Sequence, residues 1–116
     1  MRYLVISDIH ANLEAYETVM AAAAPLGYEK VLVLGDLAGY GADPNAICDR
    51  IRALDPYALS RGNHDKVGSG VESPEGFNAV ARSAIRWTHD ALTPSNREWL
   101  AALPAGPLAV DRKSVV

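Results

Sequence analysis

Apolar positions fall into short runs along the chain, and their spacing changes from run to run. Tyr3 to Ile6 is an unbroken apolar stretch, too short for a helix and rich in β-formers, as in a strand buried in a parallel sheet. From Asn12 the period turns helical. Leu13, Tyr16, Val19, Met20 and Ala23 recur on one face, Asn12 stands where a cap belongs, and Glu14 lies in the first turn. Pro25 and Gly27 close this helix after Ala24. Val31 to Leu34 reads as a second buried strand, ending in Gly35-Asp36. Asp43-Pro44 opens a second helix, with the carboxylate as cap and proline preorganised at the first position, and Ile47, Ile51 and Leu54 share a face. Tyr57 to Ser60 is a third, weaker strand.

The order is therefore βαβαβ, an α/β start with parallel strands joined by helical crossovers. Val67 to Gly76, with its glycines, serines and proline, reads as a mobile loop. Two helices are expected beyond it. Phe77, Ala81, Ile85, Thr88 and Leu92 fit the inner face of the first; Thr93-Pro94 starts the second, with Trp99, Leu100 and Leu103 inward. Leu108 to Val110 reads as the start of a further strand.

Composition narrows the function classes. The 116 residues are 49% hydrophobic and 22% charged, as in a soluble globular protein. Eleven Lys plus Arg against fourteen Asp plus Glu give a net charge of −3. That balance argues against a stable nucleic-acid complex, which needs a basic face, but leaves room for a phosphorylated substrate if a bound metal supplies positive charge. The lone Cys48 has no disulfide partner and lies beside the apolar face of the second helix, so it reads as a core residue. No apolar run reaches the length of a signal sequence or membrane span, and a cytoplasmic location is the expectation. Trp87 and Trp99 fit helix packing better than base stacking, and His89 sits in a helical pattern.

The chemically informative residues stand just past the carboxyl ends of the three strands. Asp8 and His10 follow the first, Asp36 the second, and Asn63, His64 and Asp65 the third. Ligands of open α/β sheets bind at that edge, so these residues are expected to converge. Carboxylate, imidazole and amide donors without thiolate suit Mn, Fe or Zn. Each residue alone has a plainer reading: an Asp after a strand caps a helix, and Gly-Asn makes a turn. The joint pattern favours metal.

Asp8-Ile9-His10, Gly35-Asp36 and Gly62-Asn63-His64-Asp65, in that order and each after a strand, resemble the first three motif blocks of the calcineurin-like metallophosphoesterases. Tyr40, Gly41, Asp43, Pro44 and Asn45, with the stretch from Phe77 to Leu92, are similar to a bacterial branch grouped loosely with diadenosine tetraphosphatases and protein phosphatases. The resemblance implies an α/β/β/α sandwich, of which this chain would be the N-terminal half. It also implies a site holding two divalent ions. Asp8 and His10 would bind the first, Asp36 would bridge both, Asn63 would bind the second, and His64 would act as general acid or stabilise the departing oxygen. Two ions roughly 3.5–4 Å apart lower the pKa of a shared water and clamp a phosphoryl group, so attack by a bridging hydroxide is the expected chemistry. Arg61, Asn12 and Asp65 are weaker candidates for contact with substrate.

The family's pattern continues with a later histidine and a Gly-His-x-His block, yet after His64 only His89 remains. Residues 1–110 are accordingly read as the N-terminal portion of the domain. Asp111 to Val116 corresponds to one reading frame of a sequencing-adapter sequence and is read as a non-native tail, with the protein expected to continue past Val110. The substrate class is a phosphomonoester, phosphodiester or phosphoanhydride, carried by a small molecule, nucleotide or phosphoprotein, and the short chain is expected to be inactive by itself. The alternative is a catalytically inactive scaffold that binds metal or a partner.

Overall fold

The computed structural model describes residues 1–110 and is an α/β fold around a parallel sheet. The elements are β1 (Tyr3–Ile6), α1 (Leu13–Ala23), β2 (Lys30–Val33), α2 (Pro44–Leu54), β3 (Ala58–Leu59), α3 (Asn63–Gly68), α4 (Ala79–Ala91) and α5 (Pro94–Ala102). Short 3₁₀ turns at Ala24–Leu26 and Pro74–Gly76 complete the order. The strands lie in the order β1-β2-β3, with Leu4 beside Val31, Ile6 beside Val33 and Val33 beside Leu59.

Side chains alternate between the two faces of a strand, so this register puts Leu4, Ile6, Val31, Val33 and Leu59 on one face. That face forms the core with Tyr16, Ile47, Cys48 and Ile51 from the first two helices. Those helices also touch each other through Arg50 and Glu17, 2.8 Å apart. Full burial of Ile47, Ile51, Leu92 and Leu100 stabilises the fold by about 1.5–3 kcal/mol per side chain. The opposite face carries Tyr3, Val5, Leu32 and Ala58. Of these Leu32, flanked on both sides, is fully buried, whereas Val5 stays 52% exposed.

Helices α4 and α5 pack on α2 through a polar clasp. Asn45 donates from Nδ2 to Ala91 O at 2.8 Å, and its Oδ1 accepts from Thr93 N at 2.9 Å and Asn96 Nδ2 at 3.0 Å. One amide side chain thus joins three helices.

Several local expectations need correction. The third strand shrinks to Ala58–Leu59, and Leu108–Val110 gives a single bridge at Ala109. Asp43 precedes α2 without a side-chain capping bond, so proline sets that start. The stretch expected as a loop after Val67 holds the end of α3 and a 3₁₀ turn. α3 escapes periodicity because it has fewer than two turns. Phe77 lies outside α4, because Asn78 caps it, accepting from Ala81 N at 2.9 Å. Trp87 is 51% exposed, since Ala81, Ile85 and Thr88 already fill the inward stripe of α4. Cys48 is fully buried, and burial pushes its thiol up to about 12. Among the described residues no helix is long and apolar enough to cross a membrane. The tail 111–116 lies outside the described residues.

Candidate metal centre

The ladder between β1 and β2 continues past the strand ends into their loops. Asp8 N donates to Gly35 O at 3.1 Å, His10 N to Asp36 O at 2.9 Å and Ala11 N to Leu37 O at 2.7 Å. Gly41 N and Asp43 N return to His10 O and Ala11 O, each at 3.0 Å. This lacing holds Asp8, His10, Ala11, Asp36 and Tyr40 at φ between +48° and +64°, where each L-residue costs roughly 1–2 kcal/mol. Such strain persists only where surrounding structure over-determines it, and it concentrates at functional sites. The effect is to turn Asp8, His10 and Asp36 toward one another.

The resulting group has one donor atom from each of Asp8, His10 and Asp36, all within 4.8 Å of one another. His10 Nε2 stands 3.4 Å from Asp8 Oδ1 and 3.9 Å from Asp36 Oδ2. Its Nδ1 lies 3.0 Å from Ala38 O. A carbonyl only accepts, so Nδ1 carries a hydrogen and Nε2 is the ring atom turned to the two carboxylates. Nε2 and one oxygen from each carboxylate thus form a compact O/N donor set that suits a divalent cation. The Ser7 hydroxyl, 2.7 Å from Asp8 Oδ2, lowers the Asp8 pKa and favours its ionised form.

The block after β3 joins this group through Asp36. His64 N donates to Asp36 Oδ1 at 3.0 Å. Gly62 must be glycine here, since a Cβ would run into Asp36 Oδ1 and the Asp36 amide. Asn63 is exposed at the start of α3, one residue from that hydrogen bond. His64 is buried, its ring 4.9 Å from that of His10, and burial pushes its pKa below the usual histidine range. A cleft of about 460 Å³ opens beside the group, lined in part by Asp8, His10, Tyr40 and Asp43.

The chain matches the calcineurin-like phosphoesterase family over residues 1–114. It belongs to that family. It is 42% identical over 100 residues to the uncharacterised protein MJ0912 of Methanocaldococcus jannaschii, a match that covers 86% of this chain and 41% of the relative. Among solved structures, a metallophosphoesterase from Sphaerobacter thermophilus is 40% identical with a TM-score of 0.73, covering 90% of this chain and 42% of that one. Protein PH1004 from Pyrococcus horikoshii shares the fold at 23% identity, with a TM-score of 0.70 over 90% of this chain and 48% of that one. The chain thus spans about two-fifths of the curated relative it matches. The family binds divalent metal ions, and Asp8, His10 and Asp36 are the residues of this member that fit one.

Of the three residues expected at the substrate, Asp65 and Arg61 are engaged elsewhere. Asp65 is fully buried beneath the site, where Oδ1 accepts from Ala38 N and Oδ2 from Gly62 N, both at 3.0 Å. Burial raises its pKa against the pull of those N–H groups. Arg61 reaches α5, donating from Nη1 to Ala101 O at 2.8 Å. Asn12 caps α1 through Oδ1, accepting from Ala15 N at 3.0 Å, and also lines the cleft. His89 is likewise structural, with Nδ1 2.8 Å from Gly68 O. Two aromatic residues stand at the site without a polar motif to announce them. Tyr40 and Phe77 both lie against His64, and the capping position of Asn78 is the signal that Phe77 precedes its helix.

Proposed function

We propose that the whole protein to which these residues belong hydrolyses a phosphate ester or anhydride at a two-metal centre, with a phosphorylated small molecule, nucleotide or phosphoprotein as substrate. The observation that carries this reading is the compact face-to-face arrangement of Asp8, His10 and Asp36, each aimed by strained backbone that the loops hold in place. Two divalent ions bound there would supply the positive charge that the acidic chain lacks, lower the pKa of a shared water and polarise the phosphoryl oxygens. In this reading Asp8 and His10 hold the first ion and Asn63 the second. Asp36 supports a bridging role because one of its oxygens faces His10 while the other lies on the side of α3.

His64 serves the departing oxygen. Because burial favours its neutral form, an N–H hydrogen bond to the developing oxyanion fits better than a full positive charge held in reserve. Such help matters most for a poor leaving group. With the Mn-loaded whole protein, Asp36→Asn is expected to cost p-nitrophenyl phosphate hydrolysis about 100-fold or more, because losing a shared ligand exceeds the roughly 10–100-fold cost of losing a residue that only orients one. Unchanged hydrolysis would remove the bridging role. His64→Ala is expected to cost about 100-fold with phenyl phosphate, whose phenol is the poorer leaving group, and much less with p-nitrophenyl phosphate.

A further inference from the structure

Two histidines stand at the site, and they are held by different means. His10 is pinned by the hydrogen bond between Nδ1 and Ala38 O. His64 Nδ1 is buried with no hydrogen-bond partner among the described residues. A terminal imidazole torsion is broad, so a ring without a hydrogen bond needs some other restraint to keep one orientation. The restraint here is aromatic. Phe77 lies with its ring centroid 4.8 Å from that of His64 at an interplanar angle of 39°, and Tyr40 lies at 4.9 Å and 45°. Both separations fall in the range of favourable aromatic pairs.

Each of the two residues is anchored at its backbone. Tyr40 is held at φ +64° by the laced loops, and its ring also meets His10 edge-on at 5.2 Å. Phe77 is tied at its amide, which donates to Pro74 O at 3.0 Å, and the next residue is the cap of α4. Gly39 completes the enclosure: at φ +91° it presents no side chain, and a Cβ there would approach His64 Nδ1 to 2.6 Å. Phe77 carries no charge and no metal donor, so its contribution runs through His64, while Tyr40 touches His64 and His10 alike.

We propose that Tyr40 and Phe77 are positioning residues, an aromatic clamp that fixes the His64 imidazole for its work on the leaving group. The proposal rests on the role assigned to His64 above. The clamp joins two otherwise separate segments to one side chain, since Tyr40 comes from the loop after β2 and Phe77 from the approach to α4. Substitutions around Phe77 therefore alter catalysis without touching a metal ligand.

The test has a spectroscopic arm and a kinetic arm. In the chain with labelled histidine rings, only three resonances need assignment, those of His10, His64 and His89. Phe77→Leu keeps apolar bulk but removes the ring. It is expected to remove the Phe77 share of the ring-current shift of His64 and loosen its orientation, while His10, anchored on Ala38, stays as in the wild type. Phe77→Tyr is expected to restore the His64 signal. In the Mn-loaded whole protein, Phe77→Leu is expected to lower kcat for phenyl phosphate about tenfold at unchanged KM and unchanged metal content, with little change for p-nitrophenyl phosphate. Phe77→Tyr recovers the loss.

Wild-type His64 resonances and wild-type kcat in Phe77→Leu would overturn the clamp. His64→Ala separates this from failure of the underlying reading. If that variant slows phenyl phosphate and Phe77→Leu does not, the clamp alone is wrong; if His64→Ala is itself without effect, the role of His64 falls and the clamp with it.

Discussion

The loops after β1 and β2 and the turn after β3 present the same kind of polar residues at the same sheet edge, but they use them differently. In the first region Asp8, His10 and Asp36 turn outward from strained backbone and face one another. In the second, Arg61 and Asp65 turn away, one onto α5 and the other beneath the site, so that Asp65 organises the main chain that Asp36 leans on. Two carboxylates at one sheet edge thus do opposite work. Asp36 is available to a cation, and Asp65 is consumed by backbone N–H groups. Residue type and strand-end position specify where polar chemistry gathers, whereas hydrogen-bond supply decides which members stay free for a ligand.

The contrast is sharpest at Asp65. Asp65→Ala is expected to cost about 3 kcal/mol of unfolding free energy, because it strands the buried amide of Ala38 and the half-buried amide of Gly62. Chemical denaturation measures this, and a cost within about 0.5 kcal/mol, the range of an ordinary surface substitution, would mean that the buried carboxylate is not structural. Asn12→Ala is smaller, about 1 kcal/mol for a lost cap, with Zn affinity unchanged. A large loss of Zn affinity in calorimetry would add Asn12 to the metal ligands.

The subtlest prediction concerns pH. The folded chain holds His64 below its unfolded pKa of 6.5, so the unfolded state binds more protons in the window between the two values. Stability of the metal-free chain therefore rises with pH through that window and falls on acidification below 6.5. Denaturation midpoints compared between wild type and His64→Gln across that range check the sign. An equal slope in both would place the pH dependence elsewhere.

Much of this molecule is legible in its sequence. Tyr3–Ile6 and Val31–Val33 declare themselves as apolar runs, Thr93-Pro94 as a helix start, and the three polar blocks as one edge, because each rests on local chemistry. What stays hidden is set by tertiary supply. Nothing local to Asp65 says that the amide of Ala38, 27 residues earlier, will occupy its carboxylate. Nothing near Arg61 announces the carbonyl of Ala101. Phe77 passes for a helical residue because, one position before a cap, it shares the apolar period of α4. α3 goes unseen because so short a helix has no period to display.

Metal binding tests the central claim most directly. Calorimetric titration of the metal-free chain with Zn at neutral pH, repeated with Asp36→Asn and with Asp65→Asn, separates the two kinds of carboxylate. The account predicts that wild type binds at least one ion per chain, that Asp36→Asn weakens binding about 100-fold or more, and that a folded Asp65→Asn binds like wild type. Equal affinity in wild type and Asp36→Asn would contradict it.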